Sequence, residues 1–282
     1  MDFGIGIATS SDSWKLVQRA EELGFTHAWF FDTQMITGDC FVAMAAAAFK
    51  TSRIRLGTGV LVPSNRIAAV TANALATLNG LAPGRIDFGI GTGFSARRAM
   101  GLGAVKLADM EEYIRVVYGL LGNDTVETPI EGKRRKIRFL NPEIGLINIK
   151  DLIPLHISAY GPRSQALTAK LNAGWKSFIS DVPGAMAALE SMQKSWRTAG
   201  RARVTSTPPP GPAAACWARA SRSTVRAPWR RRGRAPPLCC TGRPISTWRA
   251  GRTRHRFLGK SPPKSPGMSR WPAITSRRMR AI

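Results

Sequence analysis

The chain has 282 residues, with 42 Lys and Arg against 17 Asp and Glu and a formal charge of +25. Evenly spread, that charge would point to nucleic acid or an acidic membrane surface. Instead, residues 1–200 hold 22 basic side chains and all 17 acids, whereas residues 201–282 hold the other 20 basic side chains and no acid.

Within the first 200 residues the longest apolar run, Phe41 to Phe49, is nine residues, against roughly 20 for a bilayer span. Met1-Asp2-Phe3-Gly4 lacks the basic and apolar regions of a secretory leader. A lone Cys40 excludes a disulfide framework there. A cytoplasmic chain without membrane attachment is expected.

Six apolar runs read as strands: Phe3–Ala8, Ala28–Phe31, Ile54–Val62, Ile86–Ile90, Leu155–Ala159 and Trp175–Ile179. Several are nearly continuous, as in parallel strands buried on both faces. Helical stretches lie between them. Met110, Tyr113, Ile114, Val117, Leu120 and Leu121 follow the i, i+3, i+4, i+7 rule, and Met186, Leu189, Met192 and Trp196 form a similar stripe. Ser11, Asp39 and Asp109 stand near helix starts, and Gly24 follows a helix end. Val126–Ile130, Glu131-Gly132 and Ile137–Leu140 read as a β-hairpin inserted near residues 123–150. Six βα units favour a doubly wound sheet or a (β/α)8 TIM-type barrel.

Gly91-Thr-Gly93-Phe-Ser-Ala96 matches a dinucleotide fingerprint. That motif needs the first strand of its unit and an acid at the next strand's end. Here it follows the fourth strand, and Glu111 and Glu112 sit within a helical stripe. The dinucleotide reading fails on context.

The ordered set Arg53-Ile-Arg-Leu-Gly-Thr-Gly-Val60, Thr71-Ala-Asn-Ala-Leu-Ala-Thr-Leu78, Pro83-Gly-Arg85, Gly89-Ile-Gly-Thr-Gly-Phe-Ser95, Phe139-Leu-Asn-Pro142 and Ser158-Ala-Tyr-Gly-Pro-Arg163 resembles the luciferase-like flavin-dependent oxidoreductases. The resemblance covers residues 1–200. It implies an α/β (β/α)8 TIM-type barrel, here incomplete, and a flavoprotein oxidoreductase or monooxygenase using FMN or the deazaflavin coenzyme F-420 (F420). A small-molecule substrate and a homo-oligomer are the expected partners.

In such barrels the site forms at the carboxyl ends of the strands. The resemblance therefore points to Asp32, to Thr58, Gly59 and Val60, to Gly91, Thr92 and Gly93, and to Tyr160, Gly161, Pro162 and Arg163. Gly59-Val60 matches the position where the family often carries a bulge with a non-prolyl cis peptide that cushions the ring. Gly161-Pro162-Arg163 opens a helix after a strand and suits a cofactor phosphate; the alternative is a turn with Pro at the first helical position. Asp32 either faces the cofactor or caps a loop, and Thr33 stands where relatives commonly have His. His27, His156 and Cys40 read as packing residues. Arg97 and Arg98 either hold an anion or lie on a solvated face. The catalytic residues are unknown, and no metal site is expected, because the cofactor carries the chemistry.

Residues 201–282 contain eight Leu, Ile, Val and Phe, about 10% against the roughly 20% below which a chain reads as disordered. Three readings compete. A basic Arg/Pro-rich disordered arm would bind nucleic acid non-specifically through Arg226–Arg234. A zinc module would use Cys216, Cys239, Cys240 and His255, at a spacing that matches no standard finger. A frameshift near residue 200 explains the absence of acids, which by chance is on the order of 10⁻⁵. On that reading the last two barrel units are missing and activity is weak or lost.

Overall fold

A computed structural model describes residues 2–179, 181–201 and 215–218. In chain order the strands are β1 (Gly4–Ile7), β2 (His27–Phe30), β3 (Arg55–Thr58), β4 (Ile86–Ile90), β5 (Val126–Ile130), β6 (Lys133–Ile137), β7 (Leu155–Ser158), β8 (Gly174–Ile179) and β9 (Ala215–Ala218). The helices are α1 (Ser13–Glu22), α2 (Cys40–Lys50), α3 (Ala68–Leu81), α4 (Phe94–Ala99), α5 (Leu107–Leu121), α6 (Pro162–Lys170) and α7 (Val182–Thr198). Seven strands form one curled parallel sheet in the order β1-β2-β3-β4-β7-β8-β9, and β5 and β6 stand apart as an antiparallel pair. The described elements belong to a unit spanning Met1–Thr224; a second unit, Val225–Ile282, lies outside the described residues.

All six expected βα units are present, in a half-barrel of the (β/α)8 type. The continuous apolar character of Ile86–Ile90 predicts burial on both faces, and all five residues of β4 are buried. The α5 stripe turns Met110, Tyr113, Ile114, Val117 and Leu120 into the core. On α7 only Met192 and Trp196 of the predicted stripe are buried, and Met186 is exposed. A seventh parallel strand, β9, pairs Ala215 with Lys176 and Ala218 with Ile179. It falls inside the stretch read as tail, where no β-branched or aromatic run marks it. Arg226–Arg234, Cys239, Cys240 and His255 lie outside the described residues.

The second hairpin strand begins at Lys133, four residues earlier than its apolar pattern suggests. Glu131 and Gly132 both have positive φ, 51° and 74°, the geometry of a two-residue primed turn. Such a turn fixes the register at once, so Lys133 pairs with Ile130 despite its charge.

Two of the motif segments prove to be fold devices. Glu21 at the end of α1 accepts hydrogen bonds from the backbone N–H groups of Ser52 (3.0 Å), Arg53 (2.6 Å) and Ile54 (2.8 Å). Burial opposes its charge, but these amides hold the carboxyl below its ordinary range. Arg85 fastens the same turn by donating to the carbonyls of Thr51 and Ile54 at 3.1 and 3.0 Å. Asp39 caps α2, its carboxylate accepting from the N–H groups of Phe41 and Val42.

Candidate active site

The carboxyl ends of the parallel strands carry every residue the sequence analysis singled out for the cofactor, on three adjacent strands and the loop after β2. A cis peptide joins Gly59 to Val60, directly after β3. Thr58 is fully buried and clips β3 to β4: its hydroxyl donates to the Gly89 carbonyl at 2.6 Å and accepts from the Gly89 N–H at 3.0 Å. Leu61 continues the clip, its N–H donating to the Gly89 carbonyl and its own carbonyl accepting from Gly91. The glycines of β4 are therefore spent partly on the protein itself. A Cβ at Gly91 would lie 2.7 Å from Val60 Cγ2 and 3.2 Å from Ser158 Cβ, which joins the ends of β3, β4 and β7 in one tight layer.

Gly93 adopts φ +81° as it enters α4, a conformation that favours glycine. The Thr92 carbonyl accepts from the Val105 N–H at 2.9 Å and closes the loop. Arg97 donates to the Gly103 carbonyl and Arg98 stacks 3.9 Å over Phe94. Both arginines thus make contacts local to α4.

Asp32 is 5% exposed. One carboxylate oxygen accepts from the Val62 N–H (3.1 Å) and Asn65 Nδ2 (3.0 Å); the other accepts from Arg66 Nη1 (3.0 Å) and faces the Cys40 thiol at 3.7 Å. These bonds make it the cap of the loop after β3, the second of its two sequence readings. Arg66 also reaches Asp39. Cys40 is buried, as its packing role requires, and burial with the neighbouring Asp32 pushes its thiol well up.

At the end of β7, the Tyr160 hydroxyl accepts from the Phe178 N–H at 3.2 Å while most of the ring is exposed. Gly161 then caps α6, with Pro162 at the first helical position and Arg163 exposed behind it. The Ser164 hydroxyl donates to the Gly161 carbonyl at 2.8 Å. A Cβ built on Gly161 meets nothing within 4 Å, so the backbone there borders open space. By position, the N–H groups of Arg163 and Ser164 lack intrahelical acceptors.

Beneath this layer lies a charged cluster that sequence reasoning missed. Asp87, 2% exposed, accepts from Arg55 Nε at 2.8 Å and Nη2 at 3.1 Å, and His156 Nε2 lies 3.3 Å away. His156 packs edge-on to Trp29 at 5.0 Å, and His27 stacks on the same ring at 5.7 Å. Lys176 is also buried over Trp29. Burial lowers His156 against the pull of Asp87, and it drags Lys176 well below its ordinary value. Both histidines are packing residues, as expected. The one signal in the sequence was a charge inside each of two apolar runs, Asp87 in Ile86–Ile90 and Lys176 in Trp175–Ile179. Among the described residues no group of His, Cys, Asp and Glu could hold a metal, and no helix is long and apolar enough to cross a membrane.

A parallel α/β half-barrel with its loops gathered over the carboxyl ends defines an enzyme-type scaffold. The sequence profile of the luciferase-like monooxygenases matches residues 8–249, and the chain belongs to that family. It is 30% identical over 179 residues to a 5,10-methylenetetrahydromethanopterin reductase of Methanolobus tindarius, covering 62% of this chain and 53% of the relative. It is 32% identical over 140 residues to an F420-dependent glucose-6-phosphate dehydrogenase of Beutenbergia cavernae, covering 47% and 40%. The chain thus spans about half the length of the curated relatives it matches. Its fold matches the FMN complex of the oxygenating constituent of 3,6-diketocamphane monooxygenase from Pseudomonas putida. The TM-score is 0.61 at 16% identity, over 72% of this chain and 64% of that one.

Proposed function

We propose that the chain is an oxidoreductase that binds FMN or F420 over the ends of β3, β4 and β7 and acts on a small-molecule substrate. What carries the reading is the presence, on one end of the sheet, of a braced backbone ledge at Gly59–Val60 and an open helix start at Gly161–Ser164. The residues fit a phosphorylated planar cofactor. Its phosphate belongs at α6, where the free N–H groups and the positive helix end face open space and the exposed Arg163 is within the first turn. Its ring belongs on the ledge, which Thr58 and Gly91 hold from below, with Thr92, Gly93 and Tyr160 around it. When bound, the cofactor supplies the hydride or oxygen chemistry. The protein's own groups bind, orient and screen it, and Asp32 serves through the loop it caps.

Arg163→Ala is expected to weaken FMN and F420 about tenfold, in line with loss of a charge-assisted hydrogen bond, and to flatten the salt dependence of binding. Fluorescence titration at two ionic strengths measures both. Unchanged affinity removes the phosphate assignment, and a wild-type chain that binds neither cofactor removes the whole reading.

The basic segment bears on turnover. The family match through residue 249 and the strand Ala215–Ala218 favour native barrel sequence past residue 200; the absence of acids favours a changed frame and an inactive chain. Translating the other two forward frames of the coding DNA beyond codon 200 is expected to restore strand and helix periodicity with ordinary acid content. If neither frame does so, the segment is native. Its charge then supports an alternative, an inactive barrel binding nucleic acid non-specifically, which requires salt-dependent DNA binding that disappears on removing residues 201–282.

A further inference from the structure

Arg66 belongs to none of the motifs that point to the cofactor, yet its side chain bridges two carboxylates beside the loop after β3. Its side chain is 17% exposed. One guanidinium nitrogen meets Asp32 at the end of β2, another meets Asp39 at the start of α2, and the group lies 4.9 Å from the Phe41 ring centroid. Its own carbonyl accepts from the Tyr113 hydroxyl of α5 at 3.0 Å, and that hydroxyl is 2.5 Å from Thr71 Oγ1 of α3. Burial opposes the charge on Arg66, but the two carboxylates outweigh it and hold the guanidinium protonated.

The loop from Gly59 to Arg66 is therefore tied at both ends. At the near end it is clipped to Gly89 through Thr58 and Leu61. At the far end Asp32 accepts from Val62 N–H and Asn65 Nδ2, and Arg66 holds Asp32 in place. Arg66 thus ties the loop after β3 to Asp32 and Asp39 through its guanidinium and to α5 through its backbone carbonyl. A lysine in its place could satisfy only one carboxylate well, because an ammonium lacks the planar fork that reaches two acceptors at fixed angles.

We propose that Arg66 is a positioning residue that sets the Gly59–Val60 ledge for the cofactor ring by locking Asp32 against the loop after β3. The assignment rests on the cofactor reading above, so its test includes a measurement that needs no cofactor. Val62 N–H donates directly to Asp32, and its hydrogen exchange reports the lock in the full-length, cofactor-free chain.

In Arg66→Met the Val62 and Leu61 amides are expected to exchange at least tenfold faster, while the β5–β6 hairpin amides exchange as before. Cofactor affinity is expected to fall at least tenfold, with an altered visible spectrum of the fraction bound. Arg66→Lys is expected to recover part of both effects. If Arg66→Met does not fold, Asp39→Asn, which removes one leg of the bridge, is measured in its place. Unchanged Val62 exchange overturns the proposal, and so does fast exchange with affinity within twofold of wild type. A wild-type chain that binds no cofactor defeats the cofactor reading; the lock beneath the ledge then stands or falls on Val62 exchange.

Discussion

Asp87→Asn is expected to destabilise the chain by about 3–5 kcal/mol, the range for breaking a buried ion pair by removing one partner. The carboxylate is the counter-charge for Arg55, which grips it with two nitrogens. An asparagine keeps the shape but not the charge, leaving the part-buried Arg55 guanidinium without its carboxylate. Urea unfolding at pH 7 measures the loss. Arg19→Ala is the control: Arg19 and its partner Glu22 are both more than half exposed, and surface pairs of this kind barely shift a midpoint. An Asp87→Asn variant as stable as Arg19→Ala would mean that the floor cluster is not closed in solution.

The same cluster sets the sign of the pH dependence. Burial lowers His156 and His27 below 6.5, so the unfolded chain takes up their protons first as pH falls. Stability from these groups is complete above pH 6.5 and is lost through the window below it. Asp87 adds to the loss in stronger acid. Burial raises its pKa, but His156 and Arg55 outweigh burial and hold it below 3.8, so its contribution is present above 3.8 and lost as pH falls through the folded value. On the alkaline side, Lys176 is drawn well below 10.5 by burial, and stability continues to rise toward that pH. Burial pushes Tyr113 up to about 12, which reverses the trend above pH 10. The urea midpoint should therefore fall from pH 7 to pH 5; a midpoint that climbs over that interval contradicts the assignment.

How much of this was legible in the sequence depends on whether the signal was local. Ile86–Ile90 has the bounds its apolar run predicts because burial of consecutive side chains is written in consecutive letters, and Val126–Ile130 has the expected bounds because the Glu131-Gly132 turn ends it. The run Ile54–Val62 overstates β3, which ends at Thr58; the cis Gly59–Val60 peptide follows directly although the apolar letters continue. The Gly59–Val60 position came from the family resemblance, whereas the α6 start is marked locally by proline at the first helical position. Asp32 was placed at the site, but its partners Val62, Asn65 and Arg66 lie some thirty residues away, and only the fold brings them to it. The floor cluster is harder still, since Arg55, Asp87, His156 and Lys176 come from four strands with no fixed spacing.

Gly89→Ala tests the layer that joins floor and ledge. A Cβ there would stand 2.1 Å from the Thr58 carbonyl oxygen and 3.3 Å from Lys176 Cε. The first is a backbone atom in a paired strand, unable to swing aside as a side-chain tip would. Relief requires β3 and β4 to separate, which stretches both bonds between Thr58 Oγ1 and Gly89 and the bond from Leu61 N–H to the Gly89 carbonyl. The expected cost is about 3 kcal/mol, the upper part of the range for overpacking, with the ledge displaced as the strands part. Gly80→Ala makes the same chemical change on α3, where the nearest atom is 4.0 Å away, and is expected to stabilise by about 0.5–1 kcal/mol through helix propensity. Paired urea melts of the two variants should move in opposite directions. If both move the same way, the contact between Gly89 and the Thr58 carbonyl does not hold the strands as described, and the rigid ledge loses its support from below.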